Sequence, residues 1–205
     1  MSKAAILALA ASLLASPSFA GAQPVAANAP RVINVTTDSA AGWLPSAELD
    51  AEAIAFLHSY FSAYDHGDDA KLWQSTTDGL KSLSSFAQFQ TDNRRTRQDL
   101  GRLEKLEVLK VTWTKDPANA PSPGIYVAID ISGRFARTQR HCGYVVLFKA
   151  NDLDPFRLAR IETNYMSDAT AQAVAKAKSS DEVERAWSAV SANCPNYPNP
   201  SNTAH

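Results

Sequence analysis

The chain has 205 residues, and its 20 Lys and Arg residues nearly balance its 21 Asp and Glu residues, for a formal net charge of −1. A nearly neutral chain creates no broad electrostatic field, which argues against a nucleic-acid partner. Beyond the N-terminus, no segment is apolar over the roughly 20 residues that a membrane-spanning helix needs, so we expect no span in the mature chain.

The N-terminal segment has the three parts of a secretory signal peptide. Met1-Ser2-Lys3 is a charged start, an apolar stretch of about 12 residues follows it, and small residues surround Ala20 and Ala22. We therefore predict that residues 1–22 are a signal peptide, cleaved after Ala22 or after Ala20. The mature protein is then expected in a bacterial periplasm or outside the cell, where disulfides form and persist.

A linker and a long helix are predicted next. Residues 23–45 are rich in Ala, Pro, Asn, Thr and Ser, which indicates a linker, and the apolar run 32–35 within it can add an edge strand. The first helix is predicted from Ser46, a suitable N-cap, to the turn at His66-Gly67. Its apolar face recurs with the helical period at Ala53, Ile54, Leu57, Tyr60, Phe61 and Tyr64.

Two shorter helices and a sheet are predicted after this helix. One helix begins at Asp68 or Asp69, and another begins at Ser84 or Ser85 and ends at Gly101. After Gly101 the apolar residues alternate as in strands, and short turns with Pro, Gly and Asn separate the apolar runs, which favours an antiparallel meander. The four predicted strands cover roughly residues 103–115, 125–137, 141–150 and 156–166.

Helical sequence returns after residue 166. An Ala-rich helix is predicted from Asp168 to Lys178, and another begins at Ser179 or Ser180, where Ser179 and Glu182 fit a capping box. We therefore predict three parts in the mature chain after the linker. They are an α+β domain over 46–166, a helical extension over 167–194 that packs on it, and a disordered tail over 195–205.

The chain has two cysteines, Cys142 and Cys194. An even number of cysteines in an exported chain favours a disulfide, which would join the third predicted strand to the end of the last helix. In the loop-entropy model, closing a loop of some fifty residues stabilises a protein by roughly 4 kcal/mol. The alternative is that Cys142 is a buried apolar residue and Cys194 is a free thiol near the tail.

Several short motifs resemble those of an exported bacterial family, the domain of unknown function 4019. They are Asp65-His66-Gly67-Asp68, Trp73, Gly101-Arg102 and Pro123-Gly124-Ile125-Tyr126-Val127. The resemblance covers about residues 57–165, and the chain departs from the family pattern at His141-Cys142 and over 156–162, as a divergent relative would. This family is similar to the nuclear transport factor 2-like, or cystatin-like, superfamily. The resemblance implies an α+β fold in which N-terminal helices pack in a curved four-stranded antiparallel sheet, or cone, with a C-terminal helix added.

The resemblance also implies a ligand pocket, because relatives in the superfamily bind ligands inside the cone. The pocket candidates here are Tyr60, Tyr64, Trp73, Trp113 and Tyr144. Our leading hypothesis is a non-catalytic domain that holds a small apolar or amphipathic ligand or docks a partner protein of the envelope. Another hypothesis is an accessory structural subunit whose pocket its own side chains fill.

A third hypothesis is a small-molecule isomerase, lyase or hydrolase. Asp65 or His66 would then be a general base, and Tyr60 or Tyr64 would stabilise an oxyanion. In the structural alternative, Asp65-His66 ends a helix and the tyrosines belong to the core. We favour the absence of catalysis, because no recognised catalytic fingerprint occurs.

Metal and cofactor sites are not expected. The histidines at 58, 66, 141 and 205 do not have the spacing of metal ligands, and no nucleotide-binding motif occurs. His141 and Cys142 are neighbours in a predicted strand, so their side chains leave opposite faces and cannot react together.

Two surface features allow alternatives. The basic residues Arg94, Arg95, Arg97 and Arg102 form either an anion-binding patch or a solvated helix face balanced by Asp92 and Asp99. The polar face of the second predicted strand, with Tyr126 and Asp130, is either the contact of a homodimer through the sheet or an ordinary exposed face.

Overall fold

The structure is a computed structural model, and it describes residues 34–198. The predicted signal peptide, residues 23–33 of the linker and residues 199–205 of the tail lie outside the described residues. The helices are α1 (Ala47–His66), α2 (Asp69–Gln74), α3 (Asp78–Lys81), α4 (Phe86–Leu100), α5 (Asp168–Ala177) and α6 (Ser180–Ser191). The strands are β1 (Asn34–Val35), β2 (Leu103–Lys115), β3 (Ile125–Phe135), β4 (Arg140–Lys149) and β5 (Arg157–Met166).

The five strands form one sheet in the order β1-β2-β3-β4-β5, and the sheet is not a closed barrel. Strands β2 to β5 pair antiparallel with their chain neighbours, which confirms the predicted meander. The edge strand that the run 32–35 was predicted to add is present as β1, which pairs in parallel with β2 and so makes the sheet five-stranded and mixed. The Asn34 side chain donates a hydrogen bond to the Val111 carbonyl at 3.2 Å, which adds a side-chain bond to this two-residue pairing.

The helix boundaries follow the predicted caps. Ser46 accepts a hydrogen bond from the backbone N–H of Leu49, and Gly67 ends α1 with φ of 73°, a conformation that favours glycine. Ser85 caps α4 in the same way. The one-turn helix α3 was not predicted, because four residues are too few for a periodic pattern.

The main core lies between α1 and one face of the sheet, which we call the inner face. On β3 this face carries Ile125, Val127, Ile129 and Ile131, all of which are at most 2% exposed. The buried side chains of α1 pack in the same cluster. The predicted helical stripe and strand alternation are therefore the two sides of one core.

The opposite, outer face of the sheet carries the C-terminal helices. Cys142 on β4 is bonded to Cys194 after α6, and both residues are buried, which confirms the predicted disulfide. Val183 and Trp187 of α6 pack in the same cluster as this disulfide. The Tyr197 ring lies 5.6 Å from that of Trp187, so the packed chain continues beyond Cys194, where the tail was predicted to begin.

This C-terminal segment also covers Asp130 on the outer face. The Asn196 side chain donates a hydrogen bond to the Asp130 carboxylate at 2.5 Å, and Asp130 is only 7% exposed. Asp130 is thus not on an open sheet surface, whereas Tyr126 stays partly exposed beside Phe148. A homodimer through the sheet stays a prediction, but Asp130 is covered within its own chain and is no longer a candidate for the contact surface. Within residues 34–198, no helix is long and apolar enough to cross a membrane.

Candidate functional site

A cavity of about 250 Å³ lies between the helices and the β5 side of the inner face. Helices α1, α2 and α4 form one wall, and strands β3, β4 and β5 form the other. Its lining includes Tyr60, Tyr64, Trp73, Phe89, Asn93, Thr96, Phe135, His141, Leu158, Ile161 and Thr163. Leu83, which is 78% exposed, lies at its rim, so the cavity is accessible from solvent.

Two hydrogen-bonded bridges hold the helical layer against β5 on either side of this cavity. The Thr77 backbone N–H donates to the Leu158 carbonyl at 2.9 Å near the start of β5. The Tyr165 hydroxyl donates to the Asp99 carboxylate at 3.0 Å near its end. Thr163 lies between these bridges and is exposed, so the rim runs along β5 between two fixed points.

His141 lines the cavity and is only 1% exposed. Its ring meets the ring of Phe135 edge-on at 5.0 Å, and Nδ1 has no hydrogen-bond partner among residues 34–198. Burial lowers the pKa of His141 to about 4. The imidazole is therefore neutral near pH 7 and has one donor and one acceptor nitrogen.

Gly133 makes room for this imidazole. It lies on the inner face of β3, and a Cβ there would come within 2.8 Å of both His141 Nδ1 and the Phe135 ring. Gly143, two residues along β4 from His141, has a different role. A Cβ at Gly143 would collide with the backbone of β5 at Glu162, so the glycine allows the two strands to approach closely.

Tyr60 and Tyr64 line the cavity from α1, as the sequence predicted. Burial raises the pKa of each phenol above its ordinary value, so both hydroxyls stay protonated. The Tyr64 hydroxyl is buried and has no hydrogen-bond partner within the described part of the chain. The Arg97 guanidinium lies 5.4 Å from the centre of the Tyr64 ring, and its charge only partly offsets the effect of burial.

Arg97 belongs to a buried ion pair that joins α4 to α2. Its two terminal nitrogens donate to the Asp69 carboxylate at 2.7 and 3.0 Å, and Asn93 donates to the same carboxylate at 3.2 Å. Burial of Asp69 favours the neutral acid, but the bonds from Arg97 and Asn93 outweigh it and lower the pKa. Arg97 is therefore not part of a solvated face balanced by Asp92, while Arg94 and Arg95 are exposed.

The predicted general bases lie at the end of α1 and do not line the cavity. The Asp65 carboxylate accepts a hydrogen bond from the Leu103 backbone N–H at 2.8 Å. The His66 ring Nδ1 lies 2.7 Å from the Ser62 carbonyl oxygen, to which its N–H donates. Both side chains hold local backbone in place, and neither lies with the tyrosines of the cavity.

Of the other predicted pocket residues, Trp73 lines the cavity and two lie elsewhere. Trp113 is completely buried in the core, with the Trp43 ring centre at 6.4 Å. Tyr144 lies on the outer face, where the Arg160 guanidinium is 5.4 Å from its ring centre. The reason is strand alternation, because the inner-facing residues of β4 are the odd-numbered ones from His141 to Leu147.

Sequence reasoning missed His141, Asn93, Thr96 and Thr163 as lining residues. For His141 a signal existed, since it shares the parity of Val145 and Leu147, which are apolar and buried. The other three are ordinary polar residues, and only the tertiary arrangement brings them to one cavity. No group of three or more His, Cys, Asp or Glu residues within 34–198 could hold a metal ion.

These features define an α+β domain with a cavity between its helices and the inner face of a mixed sheet. The chain belongs to the family described as Protein of unknown function (DUF4019), whose sequence profile matches residues 57–159. This confirms the resemblance that the motifs indicated. The match runs from α1 into β5. It does not include α5, α6 or Cys194. No curated protein and no solved structure matches the chain.

Proposed function

We propose that this protein is an exported, non-catalytic domain that binds a small apolar or amphipathic ligand in the cavity beneath α4. We also propose that its sheet and helices form the cone of the nuclear transport factor 2-like superfamily. The position of α1 on the inner face of a four-stranded meander supports this assignment. The buried disulfide supports the predicted export, because such bonds persist in oxidising compartments.

The cavity itself is the observation that carries the proposed function. Protein interiors are close-packed and leave few voids larger than a water molecule. An apolar cavity of about 150 Å³ is known to hold benzene. The 250 Å³ here is larger, which corresponds to a ligand of about ten non-hydrogen atoms. The protein's own side chains do not fill it, since Trp113 lies in the core and Phe148 packs on Tyr126 on the outer face.

The chemistry of the lining argues for binding rather than catalysis. Proton-transfer catalysis needs an acid and a base that converge on one reacting group. His141 is the single imidazole among the described lining residues, which include no carboxylate. The raised pKa of Tyr60 and Tyr64 makes these phenols poor proton donors to a substrate. They suit hydrogen bonding to a ligand.

The test is to identify a ligand on the full chain exported from its natural host. We expect solvent extraction and mass spectrometry to yield one small molecule in near-stoichiometric amount. Thr163→Trp should lower its occupancy at least tenfold, because the exposed rim position would place a large ring across the opening. Thr170→Trp is the matched control, since Thr170 is exposed on α5 and lies outside the cavity lining.

Thermal unfolding of both variants checks that each is folded. Equal occupancy in wild type and in folded Thr163→Trp would contradict binding in this cavity. Extraction of no molecule, together with no binding of benzene-sized probes to the purified protein, would show that the cavity is not a ligand site.

A further inference from the structure

We propose that the ligand is an uncharged ring compound with one hydrogen-bonding group, and that His141 binds this group. This inference rests on the proposed function and names the ligand class of the same cavity. It stands on three properties of the wall: the absence of charged residues, the presence of six aromatic rings, and one buried imidazole whose Nδ1 has no hydrogen-bond partner among residues 34–198.

The absence of charge decides which ligands the cavity can take. Within residues 34–198, no Asp, Glu, Lys or Arg lines it. The lining residue Asn93 bonds to Asp69, but the Asp69 carboxylate and the Arg97 guanidinium satisfy each other at 2.7 and 3.0 Å. A carboxylate, phosphate or ammonium ligand would lose its hydration without gaining a counter-charge, which is strongly unfavourable.

The aromatic rings decide the shape of the ligand. Six aromatic side chains of α1, α2, α4 and β3 line the cavity, namely Tyr60, Phe61, Tyr64, Trp73, Phe89 and Phe135. Aromatic rings prefer offset-stacked or edge-to-face contacts with other rings, which stabilise a planar guest beyond the burial of its area. The volume admits a single ring with a short substituent.

Among the polar side chains of the wall, the His141 imidazole is held in place by its neighbours. Gly133 leaves the space that the imidazole occupies, and Phe135 supports the ring edge-on. Nδ1 is buried and has no partner within 34–198, so part of the hydrogen-bonding capacity is unused. A phenylalanine would fill similar space without the penalty of burying a polar ring, so the imidazole is explained if a ligand bonds to it.

The protonation state of His141 agrees with an uncharged ligand. Burial lowers its pKa to about 4, so the ring is neutral at physiological pH. A neutral imidazole matches an alcohol, a phenol or an amide, each of which donates and accepts like the ring itself. A carboxylate could accept from the ring N–H, but a neutral imidazole supplies no counter-charge to offset the loss of its hydration.

The experiment compares four single-ring probes of similar size on the full disulfide-bonded protein by calorimetry at pH 7. The probes are benzyl alcohol, ethylbenzene, benzoate and benzylammonium. We expect benzyl alcohol to bind about tenfold more tightly than ethylbenzene, as one hydrogen bond implies. Benzoate and benzylammonium should bind at least a hundredfold more weakly than benzyl alcohol, since each ion must be desolvated.

His141→Phe then separates the polar contact from the cavity. This variant keeps a ring beside Phe135, and we expect it to bind ethylbenzene like the wild type and to lose the preference for benzyl alcohol. Binding of benzoate or benzylammonium as tight as that of benzyl alcohol overturns the uncharged ligand class. An alcohol preference that survives in folded His141→Phe overturns the role of His141.

The wild-type probe series tests the inference even if the variant does not fold. Equal affinity for ethylbenzene and benzyl alcohol overturns the role of His141 while the proposed binding function stands. Binding of none of the four probes overturns the ring-compound inference, because the cavity is larger than the ring that all of them share, and together with extraction of no molecule it overturns the proposed function as well.

Discussion

The inner face of the sheet has a Trp113 end and a His141 end, separated along β3 by Ile129 and Ile131. At the first end, Trp113 is completely buried, and the ring centres of Trp43 and Phe156 lie 6.4 and 6.2 Å from its own. At the second end, Gly133 underlies His141, and a cavity of about 250 Å³ remains. One sheet face thus carries a filled core and a cavity.

Each end of the inner face has a buried ring nitrogen without a hydrogen-bond partner among residues 34–198. Trp113 Nε1 and His141 Nδ1 are both in this state within the described residues. The indole is mostly apolar and is packed on its faces, so burial of its area outweighs one lost hydrogen bond. The smaller, more polar imidazole lies beside an open volume. An unpartnered polar atom therefore indicates a ligand only where a cavity adjoins it.

The prediction with the largest expected effect tests whether side chains are packed more closely at the Trp113 end than at the His141 end. Trp113→Ala should lower the free energy of unfolding by about 5 kcal/mol, since a fully enclosed ring leaves a cavity that cannot collapse. Trp73→Ala, at the partly exposed wall of the existing cavity, should lower it by about 2 kcal/mol or less. Urea titrations of both variants measure the difference. Equal losses of unfolding free energy in the two variants would contradict the claim that the Trp113 end is the more closely packed one.

The second prediction concerns the outer face behind the His141 end. Replacing Cys142 and Cys194 by Ser together should lower the free energy of unfolding by about 4 kcal/mol, because the open loop of 52 residues regains entropy in the unfolded chain. Urea titration measures the loss against wild type. Probe binding should be unchanged under folded conditions, since Cys142 and His141 point to opposite faces. Loss of probe binding in the folded variant would show that the two faces are coupled.

The third prediction is that the free energy of unfolding depends on pH through His141, whereas Trp113 does not titrate. The pKa of His141 falls from 6.5 to about 4 on burial, so the unfolded chain takes up the proton first as pH falls. The free energy of unfolding should therefore decrease by about 3 kcal/mol between pH 6.5 and pH 4. His141→Phe should lack this decrease. Asp69 loses its contribution only at lower pH, because its pKa is lowered from 3.8.

Denaturation curves of wild type and His141→Phe at half-unit pH steps give this difference directly. Parallel profiles for the two proteins would mean that the folded state protonates the imidazole as readily as the unfolded chain does.

Local pattern was enough to predict most of the secondary structure. The bounds of β2 match the predicted 103–115, and Ser46, Ser85 and Gly67 cap their helices as predicted. Caps and periodicity depend on neighbours within a few residues, which the sequence contains. The same locality explains why α3 was missed, since a single turn has no period. The edge strand β1 was suggested by its apolar run, but its parallel pairing with β2, far along the chain, was not predicted.

The candidate site was predictable only in part. Tyr60, Tyr64 and Trp73 lie on helices next to the cavity, and the resemblance pointed to them. Trp113 and Tyr144 were misplaced, because a large aromatic residue fits a core, an outer face or a cavity wall equally well by composition. The location of such a residue depends on the sheet face to which its side chain points. It also depends on which end of the sheet the helices cover.

Sequence alone predicted the order of the longer elements, the antiparallel meander and the family resemblance, and it favoured the pairing of Cys142 with Cys194. These follow from periodicity, short connections, an even cysteine count and motifs, all of which are properties of the chain read in order. Tertiary structure alone decided that Asp69 pairs with Arg97, that Asn196 covers Asp130, and that His141 borders a cavity. Such contacts join residues far apart in the chain, and their presence depends on how the packed layers leave or fill space.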